Sequence, residues 1–238
     1  MIIEGKNAIL EALKADKTID KLLLQQGKDS LGRIFALARE KKIKVQFVHA
    51  KVLDKMHKGE NHQGCIAYIS DFHYTKFDTF LERQERTRFV ILCDGIQDVQ
   101  NLGSIIRVAE CAGATGVVIA KNNAAQVTDT VMRTSAGAVN HIPIARVTNI
   151  NVAIEELQQS GYWVYGLEAD GENIYDGVNL QGDIALVVGG EDKGLKALTR
   201  KNCDKILSIP LKGKITSLNA SVALAIVSYE KVRQSEKL

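Results

Sequence analysis

Apolar positions recur along this chain with two periods that alternate. Asn7–Lys14 (NAILEALK) carries them at helical spacing, Ile19–Leu24 reads as a strand, Leu31–Lys42 as a helix, and Ile43–Val48 (IKVQFV) as an alternating strand. After the polar stretch KGENHQG comes a further apolar strand, Cys65–Ile69. The pattern predicts a small α/β unit over residues 1–70. Phe72–Arg88 differs: FHYTKFDTFLERQERTR is polar and lacks glycine, and residues 71–88 read as a linker. From Phe89 a second α/β pattern begins. FVILCD, GVVIA, HIPIARV, YWVYGL, IALVVGG and KILSIP are six strand candidates, most of them separated by helical patterns. Such alternation predicts a mainly parallel sheet covered on both faces over residues 89–238.

Composition narrows the class. With 45% hydrophobic and 25% charged residues, the chain has an ordinary globular mixture, which excludes disordered and fibrous classes. No apolar run approaches the ~20 residues of a membrane helix. The opening MIIEGKNAIL lacks the basic-then-apolar order of a secretory signal, so a cytoplasmic location is expected. Cys65, Cys93, Cys111 and Cys203 form no CxxC pair and none has zinc-finger spacing to a histidine, so free thiols and no metal are expected. The charge is unevenly spread. Residues 1–88 hold 17 Lys+Arg against 12 Asp+Glu, a net of +5, whereas the remainder holds 14 against 16, a net of −2. A basic first third suggests an anionic partner; solvated surface lysines are the equal alternative.

In open parallel sheets ligands bind beyond the carboxyl ends of strands, so the segments that follow the strands are the place to look. Asp94–Gly113 (DGIQDVQNLGSIIRVAECAG) turns from a strand into a helix that Asn101 or Ser104 could cap and that carries Arg107 in its second turn. Ala185–Leu195 (ALVVGGEDKGL) runs from an apolar strand into Gly189, Gly190, Glu191 and Gly194, where backbone can approach a ligand closely. It is neither a Walker loop nor a GxGxxG loop, which removes the nucleotide-dependent oxidoreductase reading. The third segment, IPLKGKITSLNASVALA from Ile209, opens on one of only two prolines and leads through Ser217, Leu218 and Asn219 into a helix that Ser217 or Asn219 could cap. Taken singly, each segment is explained as well by a turn or a helix cap.

Together and in this order, NLGSIIR, VVGGEDKGL and IPLKGKITSLNAS resemble motifs 1, 2 and 3 of the SpoU (TrmH) branch of the SPOUT RNA methyltransferases, a likeness that spans residues 88–238. EGKNAILEAL and NHQGCIAYI resemble the opening and closing stretches of the L30-like substrate-binding domain found in bacterial enzymes that methylate a guanosine ribose of 23S rRNA. Val99 stands where the family commonly has proline, Gly190 where it often has alanine, and Ala220 where valine is common.

The resemblance implies a fold, a reaction and roles. The sheet domain would be threaded C-terminally into a trefoil knot, a rare exception among folds. The knot loops would hold S-adenosyl-L-methionine, with the backbone of Gly189, Ile209 and Leu218 binding this methyl donor. The reaction would be S-adenosylmethionine-dependent 2′-O-methylation of a guanosine ribose in RNA, 23S rRNA first and tRNA as the alternative, by a homodimer. A noncatalytic RNA-binding protein is the reading from a different class. The family gives Arg107 the proton-withdrawing role, yet a guanidinium stays charged at ordinary pH. Arg107 is therefore expected to grip a phosphate and stabilise the developing alkoxide, with Asn101, Glu191, Ser217 and Asn219 orienting it and the ribose. Glu191 is the alternative base. Lys6, Arg33, Arg39, Lys41, Lys42 and Lys44 of the first domain are the expected phosphate contacts.

Overall fold

The structure, a computed structural model, describes residues 2–14, 19–41, 43–56, 62–69, 72–83, 86–190 and 194–236. The expected site residue Glu191 and the expected phosphate contact Lys42 lie outside them. The chain divides into two compact units, Met1–His73 and Tyr74–Leu238.

The first unit runs β1 (Ile2–Glu4), α1 (Lys6–Lys14), β2 (Ile19–Gln25), α2 (Gly32–Glu40), β3 (Val45–Val48), α3 (Ala50–Met56) and β4 (Cys65–Ile69). Its sheet has the order β1-β4-β2-β3, with β2 and β3 parallel and the other pairs antiparallel. The alternation of β2 explains the two-sided packing. Leu22 and Leu24 join Ile9, Leu13, Ile34 and Ala38 beneath α1 and α2, while Leu23 points the other way onto Leu53 of α3 and Ile66. The three-residue β1 and the seven-residue α3 are additions to the sequence expectation, each too short to show a period.

The second unit runs β5 (Phe89–Asp94), α4 (Val99–Cys111), β6 (Gly116–Ala120), α5 (Asp129–Thr134), β7 (Ile144–Val147), α6 (Ile150–Gln159), β8 (Trp163–Leu167), β9 (Asn173–Ile174), β10 (Ile184–Gly189), α7 (Ala197–Asn202), β11 (Lys205–Ser208) and α8 (Ala220–Glu236). The sheet order is β7-β6-β5-β10-β8-β11-β9, and every described strand pair is parallel. The six expected strands are all present, and the two-residue β9 adds a seventh at the edge. β5 and β10 are buried along nearly their whole length, as unbroken apolar runs in a parallel sheet require. Leu157, Ile154 and Ala153 of α6 cover one face. On the other, α4 packs between α5 and α8, burying Leu102, Ile105, Ile106 and Ala109 together with Leu224 and Val227. Gly103 lets α4 and α5 approach: a Cβ there would lie 2.6 Å from the Cβ of Thr134.

The expected linker departs from that description. Thr75 bridges Ala145 beside β7, Phe77–Phe80 forms a 3-10 turn, and Phe80 is 2% exposed within the sheet core. Tyr162 Oη donates to the Phe80 carbonyl at 2.6 Å. One buried ring, Phe80, and one partly buried ring, Phe77, in a polar run leave no periodicity to read. At the segment's end Arg88, 3% exposed, pairs with Asp183 through Nη2 at 2.8 Å and Nε at 3.1 Å. It also donates to the carbonyls of Leu81, Glu82 and Ser160, and lies 4.4 Å from the Tyr162 ring centroid. Burial raises the Asp183 carboxyl, but the Arg88 hydrogen bonds and charge outweigh it and hold the group below the usual carboxylate range.

Candidate active site

The carboxyl ends of β8, β10 and β11 enclose a pocket. Leu167, Val188, Leu207 and Leu211 give it apolar walls; Gly189, Gly190, Ile209, Ser217 and Leu218 bring in backbone from the second and third expected segments. This is where a doubly covered parallel sheet presents ligand-binding loops. The expected donor-binding residues Gly189, Ile209 and Leu218 thus come together in one cavity, and Ser217 lines it with them.

Two acids that the sequence reading did not single out fix the glycine loop. Glu168, just past β8, lines the pocket and accepts the Leu195 N–H. Asp94, the last residue of β5 and only 2% exposed, accepts both the Lys196 N–H at 3.0 Å and the Lys196 ammonium. Gly194 N–H closes the loop on the Gly190 carbonyl at 2.8 Å. The crowding is tight: a Cβ on Gly189 would lie 2.1 Å from the Gly194 carbonyl carbon. Glycine at 189 is therefore a steric necessity, where flexibility alone would not demand it. No spacing rule joins Glu168 or Asp94 to Leu195 and Lys196, because the partners lie 27 and 102 residues apart.

The first and third segments meet at their helix starts. Asp98, rather than Asn101 or Ser104, caps α4, its carboxylate accepting the Asn101 N–H at 2.8 Å. That frees the Asn101 side chain, whose Oδ1 accepts from Asn219 Nδ2 at 2.9 Å. Asn219 in turn caps α8, as one of the two expected candidates, its Oδ1 accepting from Ser221 N–H at 2.9 Å and Ser221 Oγ at 2.7 Å. One asparagine pair therefore ties α4 to the start of α8, next in sequence to the pocket residues Leu218 and Ala220.

Arg107 stands apart from the pocket. It is exposed on α4, and no described residue gives it a hydrogen bond or an ion pair. Beside α4, the outward face of α8 exposes Val222 at 46% and Tyr229 at 53%, with Ile226 half-buried between them. Burial, with Asp94 adding to it, pushes the buried Cys93 thiol up to about 12, and burial followed by Asp204 and Asp94 does the same to the partly buried Cys203, which disfavours the thiolate at both. All four cysteines are free. Among the described residues no group of three or more His, Cys, Asp or Glu could hold a metal ion. No helix there is long and apolar enough to cross a membrane.

Comparison with known proteins agrees with this geometry. Residues 88–229 match the model of the SpoU rRNA methylase family, and residues 2–75 match that of the RNA 2′-O ribose methyltransferase substrate-binding domain. YacO of Bacillus subtilis, provisionally named a TrmH family tRNA/rRNA methyltransferase, is 39% identical over 97% of this chain and 94% of its own. A protein of the same provisional name from Staphylococcus haemolyticus is 38% identical over 100% and 97%. Among solved structures, the SpoU methyltransferase AviRb of Streptomyces viridochromogenes superposes with a TM-score of 0.65 at 25% identity, covering 100% of this chain and 90% of AviRb. Its complex with the cofactor AdoMet gives a TM-score of 0.63, also at 25% identity, over 98% and 89%. With a catalytic-domain model matched over more than half its length and relatives near 39% identity end to end, the chain belongs to the SpoU rRNA methylase family of RNA methyltransferases.

Proposed function

We propose that this protein transfers a methyl group from S-adenosyl-L-methionine to the ribose 2′-oxygen of a guanosine in RNA, with 23S rRNA as the substrate and tRNA as the second reading. The carrying observation is the pocket in which Gly189, Ile209, Ser217 and Leu218 converge. It suits the donor: apolar walls accept an adenine, and loop backbone after β10 and β11 offers the fixed donors and acceptors that an adenine edge needs. The glycine at 189 keeps that backbone close. Family membership supports a C-terminal knot around these loops. The tRNA reading is kept because the curated relatives bear tRNA/rRNA names.

The donor supplies a methyl carbon made electrophilic by its sulfonium sulfur. The new bond joins that carbon to the ribose 2′-oxygen while the carbon–sulfur bond breaks, and the hydroxyl proton departs. The protein's task is to position the oxygen and favour its deprotonated form. Arg107 holds the neighbouring phosphate and stabilises the growing negative charge, since a guanidinium does not give up its own proton. Asn101 and Asn219, joined to each other, fix the junction of α4 and α8. Ser217 orients the ribose at the pocket mouth, and Glu191 assists as orienting group or base.

A homodimer completes the site. Arg107 and the Val222–Tyr229 stripe are both exposed, on two helices that pack against each other, and the second copy of this proposal covers both. A monomeric mass by light scattering with full activity retained would remove this part of the proposal. The decisive test of function is a map of 2′-O-methyl groups across rRNA and tRNA in a deletion strain. Loss of one guanosine modification in 23S rRNA, restored by the wild-type gene, is expected. Loss confined to tRNA selects the second reading, and an unchanged map refutes both.

A further inference from the structure

All the net charge of the first unit sits in one short segment. Residues 1–73 carry 13 Lys+Arg and 9 Asp+Glu, a net of +4. Residues 32–48, which hold α2 and β3, carry five of those bases (Arg33, Arg39, Lys41, Lys42, Lys44) against the single acid Glu40, also a net of +4. The other residues of the unit balance at eight against eight. The same segment holds Phe47, 51% exposed and the only exposed Phe, Tyr or Trp among the unit's described residues.

Phe47 lies on β3, an edge strand whose one neighbour in the sheet is β2. Its register opposite Leu24 turns the side chain to the α2 face of the sheet. There its ring meets that of Phe35, half-buried on α2, with centroids 5.3 Å apart and planes tilted by 58°. Phe35 supports one side of the Phe47 ring and leaves the rest open. Arg39 follows Phe35 by one helical turn and so shares its face of α2. A lone exposed phenylalanine is ordinary. A ring propped on a second ring, within a segment whose net charge equals that of the whole unit, matches the pairing of basic groove and aromatic platform with which proteins bind single-stranded nucleic acid.

We propose that the α2–β3 face binds an unpaired nucleotide of the RNA substrate, the base stacking on Phe47 while Arg39, with Lys41 at the end of α2, holds the flanking phosphates. The proposal rests on the reading that RNA is the substrate, and adds that this unit engages a loop or bulge rather than a duplex. Base faces in a duplex are stacked on one another, which leaves none free for an aromatic side chain. A protein partner would not call for so basic a segment; the test separates the two.

The experiment uses the full chain. Phe47→Ala and Phe47→Tyr are compared with wild type by fluorescence anisotropy against three probes: a single-stranded 12-nucleotide RNA, the same sequence in a perfect duplex, and heparin, a polyanion without bases. A reporter, Phe47→Trp in a Trp163→Phe background, places the chain's one tryptophan on the platform. Phe47→Ala should weaken single-strand binding about 5- to 150-fold, the range for one stacked base, leave duplex and heparin binding unchanged, and be rescued by Phe47→Tyr. Reporter emission should be quenched by the single strand and not by heparin. Equal weakening for all probes, or none, overturns the stacking while leaving RNA as substrate. A reporter signal that depends on protein concentration without RNA assigns the face to a second copy and overturns the proposal. Failure of wild type to bind either RNA overturns the RNA reading along with it.

Discussion

Neighbouring glycines at the floor of the pocket should respond oppositely to the same added methyl group. At Gly189 an alanine Cβ would lie 2.1 Å from the Gly194 carbonyl carbon, 2.3 Å from its oxygen and 2.4 Å from Leu195 N. All three are backbone atoms, so no rotamer change relieves the contact. The loop has to retreat by more than an ångström, and it is anchored by the Glu168 and Asp94 carboxylates. Overpacking of this kind costs about 1–3 kcal/mol; expressed in the pocket, that is a loss of donor affinity of about 5- to 150-fold. At Gly190, among the described residues, the Cβ meets the Gly95 carbonyl, its oxygen at 3.1 Å and its carbon at 3.7 Å, an overlap of a few tenths of an ångström. Alanine there, the residue the family often carries, should change affinity by less than about twofold. Calorimetric titration of S-adenosylhomocysteine into Gly189→Ala and Gly190→Ala, beside thermal melts, reads the difference. Wild-type affinity in a folded Gly189→Ala protein, or equal damage from both variants, would refute the assignment of this loop to the donor.

Three further outcomes are expected. Arg88→Met leaves the Asp183 carboxylate and three carbonyls without their cation and should destabilise the protein by about 3–5 kcal/mol, measured by denaturant unfolding. Because the folded-state pKa of Asp183 is depressed, its contribution is full above the unfolded value near 4 and is lost as pH falls through the lower folded value. Glu230, held down to about 2 first by its Arg233 hydrogen bond, adds to the same acid window. The melting temperature of wild type should therefore drop between about pH 4 and 2, and that of Asp183→Asn should drop less steeply; parallel curves would refute the linkage. Arg107→Ala should lower single-turnover methylation about 10²- to 10³-fold without altering S-adenosylhomocysteine affinity, since Arg107 does not line the pocket; a matching loss of affinity would move Arg107 into the donor site. Asn101→Ala and Asn219→Ala should be non-additive in activity, because each removes the same hydrogen bond; additive losses would show that the pair does not act as a unit.

The alternation of apolar runs sufficed for all six expected strands of the large sheet, because a strand buried on both faces is a continuous apolar word such as FVILCD or IALVVG. What escaped was short or supported from far away. β9 has two residues and β1 three, so neither contains a period. The 71–88 stretch reads as polar, yet Phe77 and Phe80 are held by groups far along the chain, among them Tyr162. Sequence order carries no trace of such contacts.

At the site the same division holds for a chemical reason. Residues whose role is backbone approach or helix capping leave local marks: glycines after an apolar strand at Gly189, an asparagine before a helix at Asn219. Those were legible, and the structure gathers Gly189, Ile209, Ser217 and Leu218 into one cavity. Asp94 and Glu168 left no such mark, because a carboxylate that ends a strand looks like any polar residue at a turn. Their meaning arises only when β10 is inserted between β5 and β8, which sets both carboxylates beside one loop. Asn101 shows the mixed case. It stands at a helix start and invites reading as the cap, but Asp98 performs that task. The side chain released by that substitution of roles is the one that reaches Asn219, 118 residues away, and joins the two helices. A capping-type residue beside another capping residue is thus a signal in itself: when only one is needed locally, the other is available for a partner elsewhere.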